Sequence, residues 1–111
     1  MFKKLLALVL GVALMGAAVG AQAADKVVYH VSDSASQALS ALRNMRNQLD
    51  TAPDTPIKLV AHADGVDFLM TDYKDAVQVG PLISALAARG VVFEVCEITL
   101  KNRNLPKDAF V

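Results

Sequence analysis

The chain is poor in the residues that most often build small exported scaffolds or metal centres. It has one cysteine, Cys96, in 111 residues. A single thiol excludes an internal disulfide framework and any zinc site made from several thiolates. It has no excess of either charge, with 11 Lys and Arg against 11 Asp and Glu. A nucleic-acid-binding surface announces itself as a clustered basic excess, so the balance argues against that class. No glycine-rich loop precedes the first helical segment, which argues against a phosphate cradle. No Gly-x-Ser-x-Gly surrounds Ser34, so a hydrolase nucleophile elbow is absent. Internal repeats, low-complexity stretches and linkers are also missing, and the length suits one domain.

What is present begins with a leader. Lys3 and Lys4 precede an apolar run from Leu5 to Val19, and Ala21-Gln22-Ala23 supplies a small-x-small cleavage site. That order is the signature of a secretory signal peptide. The run is too short and too rich in Ala and Gly for a span of roughly 20 residues. Residues 1–23 are thus expected to be removed on export to the periplasm, leaving no membrane segment. Subtracting that leader from 111 leaves a domain of 88 residues, 24–111, with 9 basic and 11 acidic side chains. A domain of this size buries only a little over ~60% of its chain surface, and no disulfide supports it, so self-association is expected.

The mature chain alternates strand and helix signals. Lys26 to Val31 is β-branched and aromatic and reads as a buried strand. Ser34 with Gln37 has the spacing of a capping box, and Ala35, Ala38, Leu39, Leu42, Met45 and Leu49 recur at helical spacing. Pro53 and Pro56 end that helix region. Ile57 to His62 is a second strand, closed by a turn at Ala63-Asp64-Gly65, and Val66 to Met70 reads as a short helix. Pro81 suits the first position of the next helix, which Gly90 stops. Val91 to Cys96 is a third strand, and the polar stretch from Thr99 to Asn104 reads as a helical turn. This order predicts an α/β fold: a small parallel sheet joined by right-handed crossovers, with helices on both faces.

Three side chains then stand out. His30, His62 and Cys96 each fall at the carboxyl end of a predicted strand, where open α/β sheets form their binding crevice. Cys96 leaves a strand and enters a helix start, where free amides favour a thiolate. A buried, inert cysteine is the plainer reading of the same position. His30 and His62 are candidate proton partners for Cys96 or members of a metal or haem site. Alone, two His and one Cys make an incomplete ligand set. Lys101 and Arg103 would depress the Cys96 pKa if they folded back toward it, although a polar surface turn is the plainer reading.

Val27 to His30, Leu59 to Val66 and, most specifically, Gly90 to Arg103 resemble the DsrE/DsrF-like family, above all its small exported members. The likeness covers nearly all of the mature chain in order. It implies a three-layer α/β/α sandwich, assembly into trimers or hexamers, and a part in sulfur relay between donor and acceptor proteins or small sulfur compounds. It implies no cofactor. In the sulfur-transferring members, a cysteine at the position matched by Cys96 carries sulfur as a persulfide. Family domains run on past the position of Phe110 into a further strand and a final helix, so the resemblance predicts a domain without those last two elements. Two functions compete on these residues. One is a periplasmic sulfur carrier using Cys96, with His30 and His62 as proton partners. The other is a non-catalytic oligomeric module holding a metal, haem or small ligand at the His30/His62/Cys96 edge.

Overall fold

Val27, Tyr29 and Val31 alternate with Val28, His30 and Ser32, and that period of two places the first set against the core and the second away from it. The computed structural model describes residues 25–111, so the expected leader lies outside the described residues. Within them, β1 (Val27–Asp33), β2 (Ile57–Asp64) and β3 (Val92–Val95) form a parallel sheet in the order β1-β2-β3. Val27 pairs with Ile57 and Val31 with Ala61. Lys58 pairs with Val92 and Ala61 with Val95.

Helix α1 (Ser34–Thr51) joins β1 to β2, and α2 (Ala76–Ala88) joins β2 to β3. A third helix, α3 (Glu97–Asn102), follows β3. Single turns of 3-10 helix lie at Asp67–Leu69 and Lys107–Ala109. Ala38, Leu42, Met45 and Leu49 of α1 and Val79, Ile83 and Leu86 of α2 bury one stripe each. They close over Val31, Ile57, Leu59 and Ala61 of the sheet, with Phe68 as the largest fully buried side chain. A hydrogen bond from Tyr29 OH to Gln48 Oε1, 2.9 Å, ties β1 to the far end of α1.

The α/β class and the parallel sheet are as the sequence predicts; the layering is not. Both long helices pack with the same sheet face and with each other, so the described residues form two layers rather than three. The reason is topological. Strands in sequential order, joined by crossovers of one hand, send both helices to the same side. The opposite face carries Val28, His30, Lys58, Val60, His62, Val92 and Glu94. Val28 and Val92 on it are 56% and 48% exposed, and a Lys58–Glu94 ion pair of 3.0 Å crosses it.

Three local details also differ from expectation. Asp33, not Ser34, caps α1: its carboxylate accepts from Ser36 N. Gln37 Oε1 reaches back to the amides of Ser32 and Asp33, at 2.8 and 3.1 Å. Pro81 sits inside α2 rather than opening it. The carbonyl it leaves unpaired belongs to Val77, a residue 93% exposed, so water can satisfy it. Finally, β1 and β2 continue two residues past the predicted strand ends, with an irregular register between Val31 and Asp33.

Candidate functional site

Those two extra residues move the histidines. His30 is the fourth of seven residues in β1, and His62 is the sixth of eight in β2. The sequence predicts both at the carboxyl ends of their strands; both instead stand within the strands, on the open sheet face. There the structure brings them together, with ring centroids 6.2 Å apart and planes at 69°. Cys96 does terminate its strand. Its amide donates to Ala61 O at 2.9 Å, and the β2–β3 register runs to Ala61 beside Val95, so His62 and Cys96 each follow the last paired residues. His62 and Cys96 thus lie next to each other at the end of the β2–β3 pairing, while His30, which pairs with Val60, lies two residues back along β1. Among the described residues, no group of three or more His, Cys, Asp or Glu is arranged to hold a metal.

Cys96 is half-buried and free. It occupies the N-cap position of α3 with extended backbone geometry. Its thiol is held below the ordinary cysteine range, first by the Thr99 amide, then by the Thr99 hydroxyl and the Ile98 amide, against some desolvation and the Glu97 charge. The sulfur makes no side-chain cap hydrogen bond, so the effect is that of dipoles aimed at a thiolate rather than of a formed cap. A lowered pKa sets the sign of the pH response. Alkylation of Cys96 by iodoacetamide is expected to rise with pH through a midpoint below the ordinary value of roughly 8.5. In Thr99→Val the hydroxyl is lost and the amides remain, so the midpoint moves upward; identical profiles for the two proteins would contradict this account of the site.

Thr99 has a second task. Its Oγ1 accepts from Ala63 N at 2.9 Å. One turn later, Arg103 Nη1 donates to Ala63 O at 2.9 Å, and Arg103 Nη2 pairs with Asp67 at 2.8 Å. Ala63 has a positive φ of 51°, a conformation costly for a residue with a Cβ. Both of its backbone polar groups are thus held by α3 side chains four residues apart. Arg103 serves the β2 turn and is not aimed at Cys96. The sequence signal was the i, i+4 spacing of Thr99 and Arg103 on one helix face, which says that they act together without saying on what.

The crevice beyond the strand ends exists, but with other residues. It encloses about 530 Å³ over the start of α1 and is lined by Asp33, Asp64, Asp67, Asp72, Tyr73 and Arg103, among others. Ser36 holds the Asp33 carboxyl below the usual carboxylate range, through its hydroxyl and then its amide. Burial, then the Asp75, Asp67 and Asp33 carboxylates, push the Tyr73 hydroxyl up. The lining contains neither histidine nor Cys96. A larger open groove of about 720 Å³ runs along α3 and the C-terminal turn, past Leu100, Leu105 and Pro106, and also lacks them.

Comparison with known proteins adds two likenesses. The model of the DsrE/DsrF-like family matches residues 15–111. Among solved structures, MTH1491, a protein of unknown function from Methanobacterium thermoautotrophicum, is similar with a TM-score of 0.69 and 28% identity, over 78% of this chain and 75% of that one. A search of curated proteins gave no match.

Proposed function

The chain belongs to the DsrE/DsrF-like family, and on that premise we propose that it is a sulfur-relay protein carrying sulfur as a persulfide on Cys96. The observation that carries the reading is the setting of Cys96: a half-buried thiol at the end of β3, biased toward thiolate by the start of α3. The Cys96 thiolate attacks the outer sulfur of a donor persulfide. A bond from Sγ to that sulfur forms, the donor sulfur–sulfur bond breaks, and the donor leaves as a thiolate. Transfer onward repeats the exchange with an acceptor thiol attacking the outer sulfur. No net oxidant is consumed. His62, beside Cys96 in register, and His30 behind it are the proton partners for the leaving thiolate.

Export belongs to the same proposal. Lys3 and Lys4, the apolar run and Ala21-Gln22-Ala23 support a periplasmic protein cleaved after Ala23. Assembly is supported by the sheet itself, since β1 and β3 both leave an edge unpaired among the described residues. Incubation with inorganic polysulfide tests the chemistry. Wild type is expected to gain the mass of a sulfur atom, removable by dithiothreitol, whereas Cys96→Ser gains none and keeps its fold. Loading that survives Cys96→Ser would refute the carrier role. A native mass spectrum of the same sample reads assembly, with a trimer or hexamer expected and a monomer contradicting it.

A further inference from the structure

The two histidines of the chain are its only two. They are separated by 32 positions in sequence, yet β1 and β2 bring their rings to 6.2 Å on one exposed sheet face. We propose that His30 and His62 form a cross-strand binding site for a borderline divalent cation of the zinc class, a further function of the two imidazoles that the sulfur-carrier reading uses as proton partners for Cys96.

Four features carry the assignment. The first is spacing: two imidazoles sharing one ion, each with a nitrogen about 2.0–2.1 Å from it, keep their ring centroids about 5 to 6 Å apart. The observed separation needs only a small side-chain adjustment to reach that range. The second is availability. Among the described residues, the side-chain hydrogen bonds and ion pairs engage neither imidazole. The third is rigidity, because both donors stand on paired strands rather than on loops. The fourth is charge. On this face Lys58 is already paired with Glu94 at 3.0 Å, so it offers little opposition to an arriving cation.

Neutral imidazole is a good donor for zinc, nickel and copper and a poor one for magnesium or calcium. Two protein donors leave the remaining positions to water, because the described residues supply no group of three ligands. The site is therefore of moderate affinity and open to exchange. Cys96 follows the end of the next strand, one position past the Ala61–Val95 pair, and a thiolate is itself a zinc donor, so the test must separate the two.

Zinc chloride titrated into the reduced mature protein and followed by calorimetry is the experiment. One ion per chain is expected. Affinity should fall about tenfold or more in His30→Gln and likewise in His62→Gln, since each variant leaves a single imidazole. Cys96→Ser should keep the wild-type affinity within about threefold, because the thiolate is not one of the two donors. The imidazole carbon-bound proton resonances of both histidines should move together on zinc addition. His30 is exposed, so His30→Gln keeps the fold and remains informative if His62→Gln does not. Equal affinity in wild type and His30→Gln would overturn the proposal. So would loss of binding in Cys96→Ser alone, which would make the Cys96 thiolate the ligand that holds the ion. Polysulfide loading of the wild-type protein, read by intact mass with no zinc added, reports on Cys96 independently of the titration, so failure here and failure of the sulfur-carrier reading are separately visible.

Discussion

Gly65→Ala is expected to destabilise the protein by about 3 kcal/mol or more, through backbone overlap that no rotamer can relieve. A Cβ on Gly65 would fall 1.9 Å from Val31 O, 2.4 Å from Val31 C and 2.8 Å from His62 O. All three are main-chain atoms of the strands that carry the site. The residue closes the turn after β2, donating its amide to His62 O at 2.8 Å, at the place where that turn passes closest to β1. Whole domains are stable by only roughly 0.05–0.15 kcal/mol per residue, so the variant should lose a large share of its stability. Gly80→Ala is the matched control. Nothing lies within 4 Å of a Cβ there, and the site is inside α2, so alanine should be neutral or stabilising by up to about 1 kcal/mol. Urea denaturation of the two variants reads the contrast, and equal midpoints would contradict the packing described at Gly65.

Phe68→Ala carries the second large effect. Phe68 is 1% exposed and sits on the 3-10 turn Asp67–Leu69 beneath the crevice. Its truncation leaves a cavity in an otherwise aliphatic core and should cost about 3–5 kcal/mol. The position is fixed by more than packing. Phe68 N donates to Ser34 Oγ at 3.0 Å, and Ser34 Oγ donates onward to Asp64 O at 2.7 Å. Phe68→Leu keeps most of the volume and this relay, so it should lose much less than Phe68→Ala. A Phe68→Ala protein with the wild-type denaturation midpoint would show that this residue does not anchor the core.

Much of the architecture was legible because the periodicities are clean. Ala38, Leu42, Met45 and Leu49 mark the buried stripe of α1, and the β-branched runs mark the three strands, so the strand–helix alternation implied a parallel sheet. Layering was not legible. Whether helices cover one face or two depends on strand order in space, and each strand's sequence fits either arrangement. The alternation of Val28, His30, Lys58, Val60 and His62 records a face with polar members among apolar ones, which is how a half-covered sheet reads. The cap shifted by one residue because Asp33 and Ser34 are both good cap residues, and the buried hydrogen bonds of Ser34 decided between them. Pro81 misled for a similar reason, since its preference for a helix start is weaker than the packing of Val79, Ile83 and Leu86.

The candidate site was legible in its members but not in its shape. His30 and His62 stand on the open face, staggered by two residues in register, and Cys96 follows the end of β3; none of the three lines the crevice, because β1 and β2 run on to Asp33 and Asp64. The clamp on Ala63 by Thr99 and Arg103 joins residues 36 and 40 positions apart, a pairing that no local pattern encodes. It links the cysteine-bearing helix to the turn below His62, so the thiol and its neighbouring imidazole are held by one set of bonds.

The most direct test of sulfur carriage is the intact mass of the protein isolated without reductant, measured before and after dithiothreitol. The account predicts a population heavier by one sulfur atom, localised to Cys96 by peptide mapping and discharged by the reductant. A single unmodified mass, together with a Cys96 thiol that resists alkylation in the folded protein, would contradict it.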